Sequence, residues 1–67
     1  MPDRTVVGER LRVLRGDKTL EKVGNDLGVS SMAVSLWERG ERIPSDVMKV
    51  KIANYYGQTV MALFFDD

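Results

Sequence analysis

Apolar residues recur along this chain at helical spacing, and glycine or a polar cluster closes each recurrence. Val7, Leu11 and Leu14 fall at i, i+4 and i+7, which predicts a helix from about Thr5 to Arg15, ended by Gly16-Asp17. Leu20, Val23 and Leu27 form the next stripe, with Thr19 placed to cap it and Gly28 to close it. Ser30 offers a hydroxyl to a third helix, Ser31 to about Arg39, whose apolar positions are Ala33, Val34 and Trp37; Gly40 stops it. Pro44-Ser45-Asp46 opens a fourth helix, with negative charge where the helix dipole favours it. That helix is expected to run to Tyr56, with Val50, Ile52, Ala53 and Tyr56 facing inward, before Gly57 ends it. Thr59 is expected to cap a short fifth helix carrying Val60, Leu63 and Phe64. No strand pattern is seen. The expectation is an all-α fold, five short helices in one compact domain over residues 1–67.

Composition narrows what such a domain can do. A chain of 67 residues typically buries only about 60% of its extended surface, so its core must come from the 43% hydrophobic residues alone. It has no cysteine and no histidine. That excludes a zinc finger, an iron–sulfur site, a thiol redox centre and a Ser–His or Cys–His hydrolase, and no metal or cofactor is expected. No Ser or Lys has an obvious activating neighbour, and Asp66 and Asp67 lie at a chain end, so no enzyme is expected either. The longest apolar run, Val60 to Phe65, is far shorter than the roughly 20 residues that span a bilayer. Met1-Pro2-Asp3-Arg4 lacks the apolar stretch of a signal peptide, and a cytoplasmic protein is expected.

Ten basic residues balance ten acidic ones, but Asp3, Asp66 and Asp67 sit at the ends. The basic groups gather at Arg10, Arg12, Arg15, Lys18 and Lys22, and again at Arg39, Arg42, Lys49 and Lys51. That is compatible with a basic face on a neutral molecule, and equally with ordinary solvated surface.

The informative stretch is Thr19 to Gly40. Leu27-Gly28-Val29-Ser30 is too tight a connection for antiparallel packing and would send the next helix off steeply, as in a helix-turn-helix. Gly24 sits four residues before Gly28, where closely crossing helices need little or no side chain, and Val29 and Val34 can plug the space between them. A plain helical bundle with a glycine turn shares these features, so both readings stay open at this point.

The run Leu27-Gly28-Val29-Ser30-Ser31-Met32-Ala33-Val34-Ser35-Leu36-Trp37-Glu38-Arg39-Gly40 resembles the central signature of the Cro/C1 (lambda repressor-like, or Xre) family. Gly8 to Arg15 is similar to that family's first helix, and Ile52-Ala53 and Thr59 to Phe64 to its fourth and fifth. The resemblance implies a five-helix fold, with a helix-turn-helix at about 19–39 and helices 4 and 5 at about 45–65. It implies a partner in double-stranded DNA, on a partly palindromic operator. Carried over, Ser31, Met32, Ser35 and Leu36 would face the bases. The amide-rich start of the second helix at Thr19 and Leu20, with Lys22, Arg39 and Arg42, would hold phosphates. Arg15 and Glu38 would pair as scaffold, Trp37 and Val34 would be core, and Gly24 and Gly28 would shape the turn.

Departures from the family pattern bear on specificity. Leu20 stands where many members have glutamine, Leu36 where many have arginine, lysine or asparagine, and Gly24 where alanine is usual. Affinity is then expected to rest mainly on phosphates and shape. The expected function is a transcriptional regulator, acting as a repressor; the alternative is a protein-binding module, like an antirepressor or antitoxin, that kept the fold. Tyr55, Met61 and Phe65 are a candidate homodimer patch, the alternative being ordinary exposed apolar surface. With no room for an effector-binding domain, no small-molecule effector is expected.

Overall fold

Each helix begins where a side-chain oxygen can satisfy a free backbone amide. The computed structural model describes residues 2–67. The Asp3 carboxylate accepts from the Val6 amide at 3.0 Å and opens α1, Arg4–Arg15, one residue before the apolar spacing predicts. Thr19 accepts from Lys22 at 3.0 Å ahead of α2, Leu20–Leu27. Ser30 accepts from Ala33 at 3.1 Å ahead of α3, Ser31–Glu38. Ser45 accepts from Met48 at 3.2 Å ahead of α4, Asp46–Tyr55. A cap of this kind is worth about 1 kcal/mol, which matters in a domain with so small a core.

The expected short fifth helix is present as a single π-helical turn, Met61–Phe65. Thr59 accepts from the Ala62 amide at 3.0 Å, and the turn closes with the Asp66 amide donating to the Met61 carbonyl at 2.8 Å. The wider turn brings successive side chains closer in angle, and the neighbours Leu63 and Phe64 are both buried. No strand occurs among the described residues.

The core is Val7, Leu11, Val23, Leu27, Val34, Trp37, Ile52, Ala53, Leu63 and Phe64, with contributions from every helix. Burying one Leu or Val side chain is worth about 1.5–3 kcal/mol, so this set supplies most of the drive to fold. α3 packs against both α1 and α2, α2 touches α4, and the C-terminal turn closes on α1.

One inward assignment is corrected. Val50 is 49% exposed, not core. At about 100° per residue it lies nearly opposite Ile52 on α4, so the two cannot face inward together. The stem of Lys49 takes the inward place: its side chain is 16% exposed, and its ammonium lies 5.8 Å from the Phe64 ring centroid and 5.2 Å from that of Phe65. α4 also ends at Tyr55, leaving Tyr56 as its half-buried cap.

Candidate nucleic-acid interface

The turn between α2 and α3 is built around two glycines. Gly28 adopts φ 75° and ψ 30°, the left-handed region that costs other residues energy. The Val29 amide then returns to the Gly24 carbonyl at 2.8 Å. A Cβ on Gly24 would sit 2.7 Å from the Val29 carbonyl oxygen and 3.2 Å from the Ser31 amide nitrogen. The turn therefore lies directly on the α2 backbone, and the helix-propensity cost of glycine, about 1 kcal/mol, is offset by that approach. Val34 and Trp37 plug the crossing from the α3 side, both buried.

α3 is thereby held with its other side open. At about 100° per residue, Met32, Ser35, Leu36 and Arg39 fall opposite Val34 and Trp37, with Ser31 on the flank. Met32 is 61% exposed, Ser31 is exposed, and Ser35 and Leu36 are half-buried. The four residues expected to face bases thus lie along the accessible part of one short helix.

The residues expected at phosphates are distributed around it. The Thr19 hydroxyl accepts from Lys22 and can still donate its own proton outward. Leu20 is half-buried against the core, so only its backbone amide is available at the start of α2. Lys22 pairs with Asp26 at 3.1 Å and Arg39 with Glu41 at 3.3 Å. These are exposed pairs, screened by solvent and easily exchanged. Arg42 is exposed, and its amide and that of Glu41 donate to the Leu36 carbonyl at 3.3 and 3.0 Å. That folds residues 39–42 back over the end of α3.

Arg15 ties this assembly to α1. Its Nε and Nη2 donate to the two Glu38 carboxylate oxygens at 2.7 and 2.9 Å, and Nη1 donates to the Lys18 carbonyl at 2.8 Å. One guanidinium thus holds the end of α3 and the segment leading into α2. The Glu38 side chain is only 6% exposed, and its hydrogen bonds raise the Arg15 pKa above its ordinary value. Burial, reinforced by the Glu38 charge, pushes the neighbouring Tyr56 hydroxyl up to about 12.

Other residues acquire roles that sequence reading did not assign. Gly8 lies where α1 crosses the end of α3: a Cβ there would overlap the Glu38 carbonyl oxygen and stand 2.9 Å from that of Trp37. A glycine inside a helix, at a propensity cost, was the available signal. Arg10 turns inward from the basic cluster to donate to the Ala62 and Leu63 carbonyls, each at 3.2 Å. With Arg15 and Lys49 also engaged internally, the exposed basic groups of the two clusters reduce to Arg12, Lys18, Lys22, Arg39, Arg42 and Lys51.

The three candidate dimer residues are placed differently from one another. The Tyr55 hydroxyl donates to Asp26 on α2 at 2.5 Å, Phe65 is half-buried beneath Lys49, and Met61 is 59% exposed. The Tyr55 bond, with Lys22, holds the Asp26 carboxyl below its ordinary pKa. Among the described residues no group of acidic side chains could hold a metal ion, and no helix is long and apolar enough to cross a membrane.

A buried helix pair joined by a glycine turn, with one helix open on its outer side, defines a helix-turn-helix protein. The sequence matches the helix-turn-helix family over residues 9–61. This chain belongs to that family, in its Cro/C1-type branch. Solved structures agree in fold. The SOS-response transcriptional repressor LexA from Eubacterium rectale is 22% identical, with a TM-score of 0.86 over 97% of this chain and 71% of that one. The clp gene regulator ClgR from C. glutamicum is 29% identical, with a TM-score of 0.75 over 90% of this chain and 80% of that one. The S. venezulae BldD DNA-binding domain is 25% identical, with a TM-score of 0.73 over 90% of this chain and 93% of that one. No curated protein matches the chain.

Proposed function

We propose that this protein is a DNA-binding transcriptional regulator that represses by inserting the N-terminal half of α3 into the major groove. The observation that carries the reading is the open side of α3, which presents Ser31, Met32, Ser35 and Leu36 on a helix fixed by a turn that admits no side chain at Gly24. The family membership and the likeness to a gene regulator and a DNA-binding domain support it. Thr19 and the Leu20 amide, with Lys22, Arg39 and Arg42, hold phosphates on either side. A single short helix reads few bases, so the protein acts as a homodimer on a partly palindromic operator, through Met61 with Tyr55 and Phe65 at its margin. It works in the cytoplasm, and its action is set by its own concentration, by a partner, or by competition for the operator.

The test is fluorescence anisotropy with the duplex upstream of the protein's own gene and a shuffled duplex of equal length, titrated across salt. Salt-steep binding with preference for the native duplex is expected. Absence of binding to either duplex at low salt would overturn the reading and favour a protein partner for the same helix.

A further inference from the structure

On the DNA-binding reading just given, we propose that α3 discriminates bases chiefly through the 5-methyl group of thymine, read by Met32 and Leu36. The inference comes from what the helix carries and what it lacks. Ser31–Glu38 contains no Arg, Lys, Asn or Gln, the side chains that make bidentate pairs with guanine or adenine. Its one acid, Glu38, is held by Arg15 and 6% exposed, so it is not free to accept from cytosine. Ser31 and Ser35 carry hydroxyls, which bond to any base and rank none strongly.

The open side then offers two apolar tips, Met32 at 61% exposure and the half-buried Leu36. The apolar group that the major groove displays to them is the thymine methyl. The unbranched, polarizable Met32 side chain adapts to such a contact, and burying both methyls removes two apolar surfaces from water. Spacing adds a prediction. Residues four apart on a helix are about 6 Å apart along its axis. Base pairs rise about 3.4 Å. The two thymines read by one copy therefore lie about two base steps apart. Arg39 shares the outward side but caps the end of the helix, paired with Glu41, and in the DNA-binding reading it holds a phosphate and not a base.

Affinity selection from a random duplex pool, followed by replacement of each selected thymine with deoxyuridine, tests this directly. Deoxyuridine removes the methyl and leaves every hydrogen-bonding group in place, and the measurement uses the unaltered protein. At two thymines about two steps apart, each replacement should weaken binding about fourfold, the worth of one buried methyl-sized group. The slope of affinity against salt should stay unchanged, because no phosphate contact is touched. Met32→Ala should abolish the sensitivity at one of the two positions and leave the other. Tight, selective binding that tolerates every deoxyuridine would overturn the methyl reading while leaving DNA binding intact. Sensitivity that persists at both positions in Met32→Ala would overturn the role of that residue. Failure to retain any duplex at low salt would overturn the DNA-binding reading itself.

Discussion

Gly8→Ala probes the crossing that holds the candidate recognition helix in place. In an exposed helix interior the change would stabilise by about 1 kcal/mol through propensity alone. Here the new Cβ would overlap the Glu38 carbonyl oxygen and press on the Trp37 carbonyl 2.9 Å away. Overpacking typically costs 1–3 kcal/mol, and these obstructing atoms are backbone in the last turn of α3, which no rotamer change can remove. The upper end, about 3 kcal/mol, is therefore the appropriate figure. The net expectation is a loss of about 2 kcal/mol. In a domain of this size, each kcal/mol moves the melting temperature by about 4–8 °C, so Tm should fall by roughly 8–16 °C. Thermal unfolding followed by circular dichroism measures it. Asn25→Ala, at an exposed position of α2, is the matched control and should gain about 0.5 kcal/mol from propensity. A Gly8→Ala protein that melts at or above the parent temperature would refute the argument, because it would mean that α1 and α3 do not approach at backbone distance.

Tyr56 has its pKa raised from near 10 to about 12, so its contribution to stability is complete below pH 10 and is lost as pH rises from about 10 to about 12. Melting curves across that window should show the loss in the parent and a flatter profile in Tyr56→Phe. Tyr55→Phe removes the main group holding the Asp26 pKa down, and carboxyl titration by NMR should find it moved up toward the ordinary aspartate value. Because the lowered pKa favours the folded state only above the unfolded value and that gain disappears on acidification, the variant should lose less stability as pH falls. Arg42→Ala should weaken binding to all duplexes alike and reduce the salt slope by about one; a changed base preference would move Arg42 off the phosphates. Sedimentation at tens of micromolar should find a dimer that Met61→Lys dissociates, and a monomeric parent would refute a preformed dimer.

Much of the local architecture was legible in the sequence because its causes act within four residues. Thr19, Ser30, Ser45 and Thr59 cap the amide three positions ahead, a relation that spacing alone reveals. Gly28 follows from the backbone angle the α2 end requires, and Val34 and Trp37 from the stripe they form. The signature from Leu27 to Gly40 carried the family. Periodicity misleads where neighbouring apolar residues share a segment but not a face. Val50 and Ile52 lie two positions apart, on opposite sides of α4, so only Ile52 is core; the fifth helix is present, with the π winding that its apolar spacing does not reveal.

Taken alone, then, the sequence determined where the helices begin, most of their apolar stripes, and the glycine turn that marks a helix-turn-helix. The tertiary structure decided what depends on distance across the fold. It placed Gly8 against the Glu38 carbonyl, turned Arg10 to the C-terminal carbonyls, and joined Tyr55 to Asp26. It also gave Arg15 the Lys18 carbonyl as well as Glu38, linking the approach to α2 with the end of α3. Caps and stripes are properties of one helix and repeat with its own period. Contacts between segments far apart in the chain depend on helix crossing angles and separations, which emerge only when the side chains of all the helices compete for one small interior.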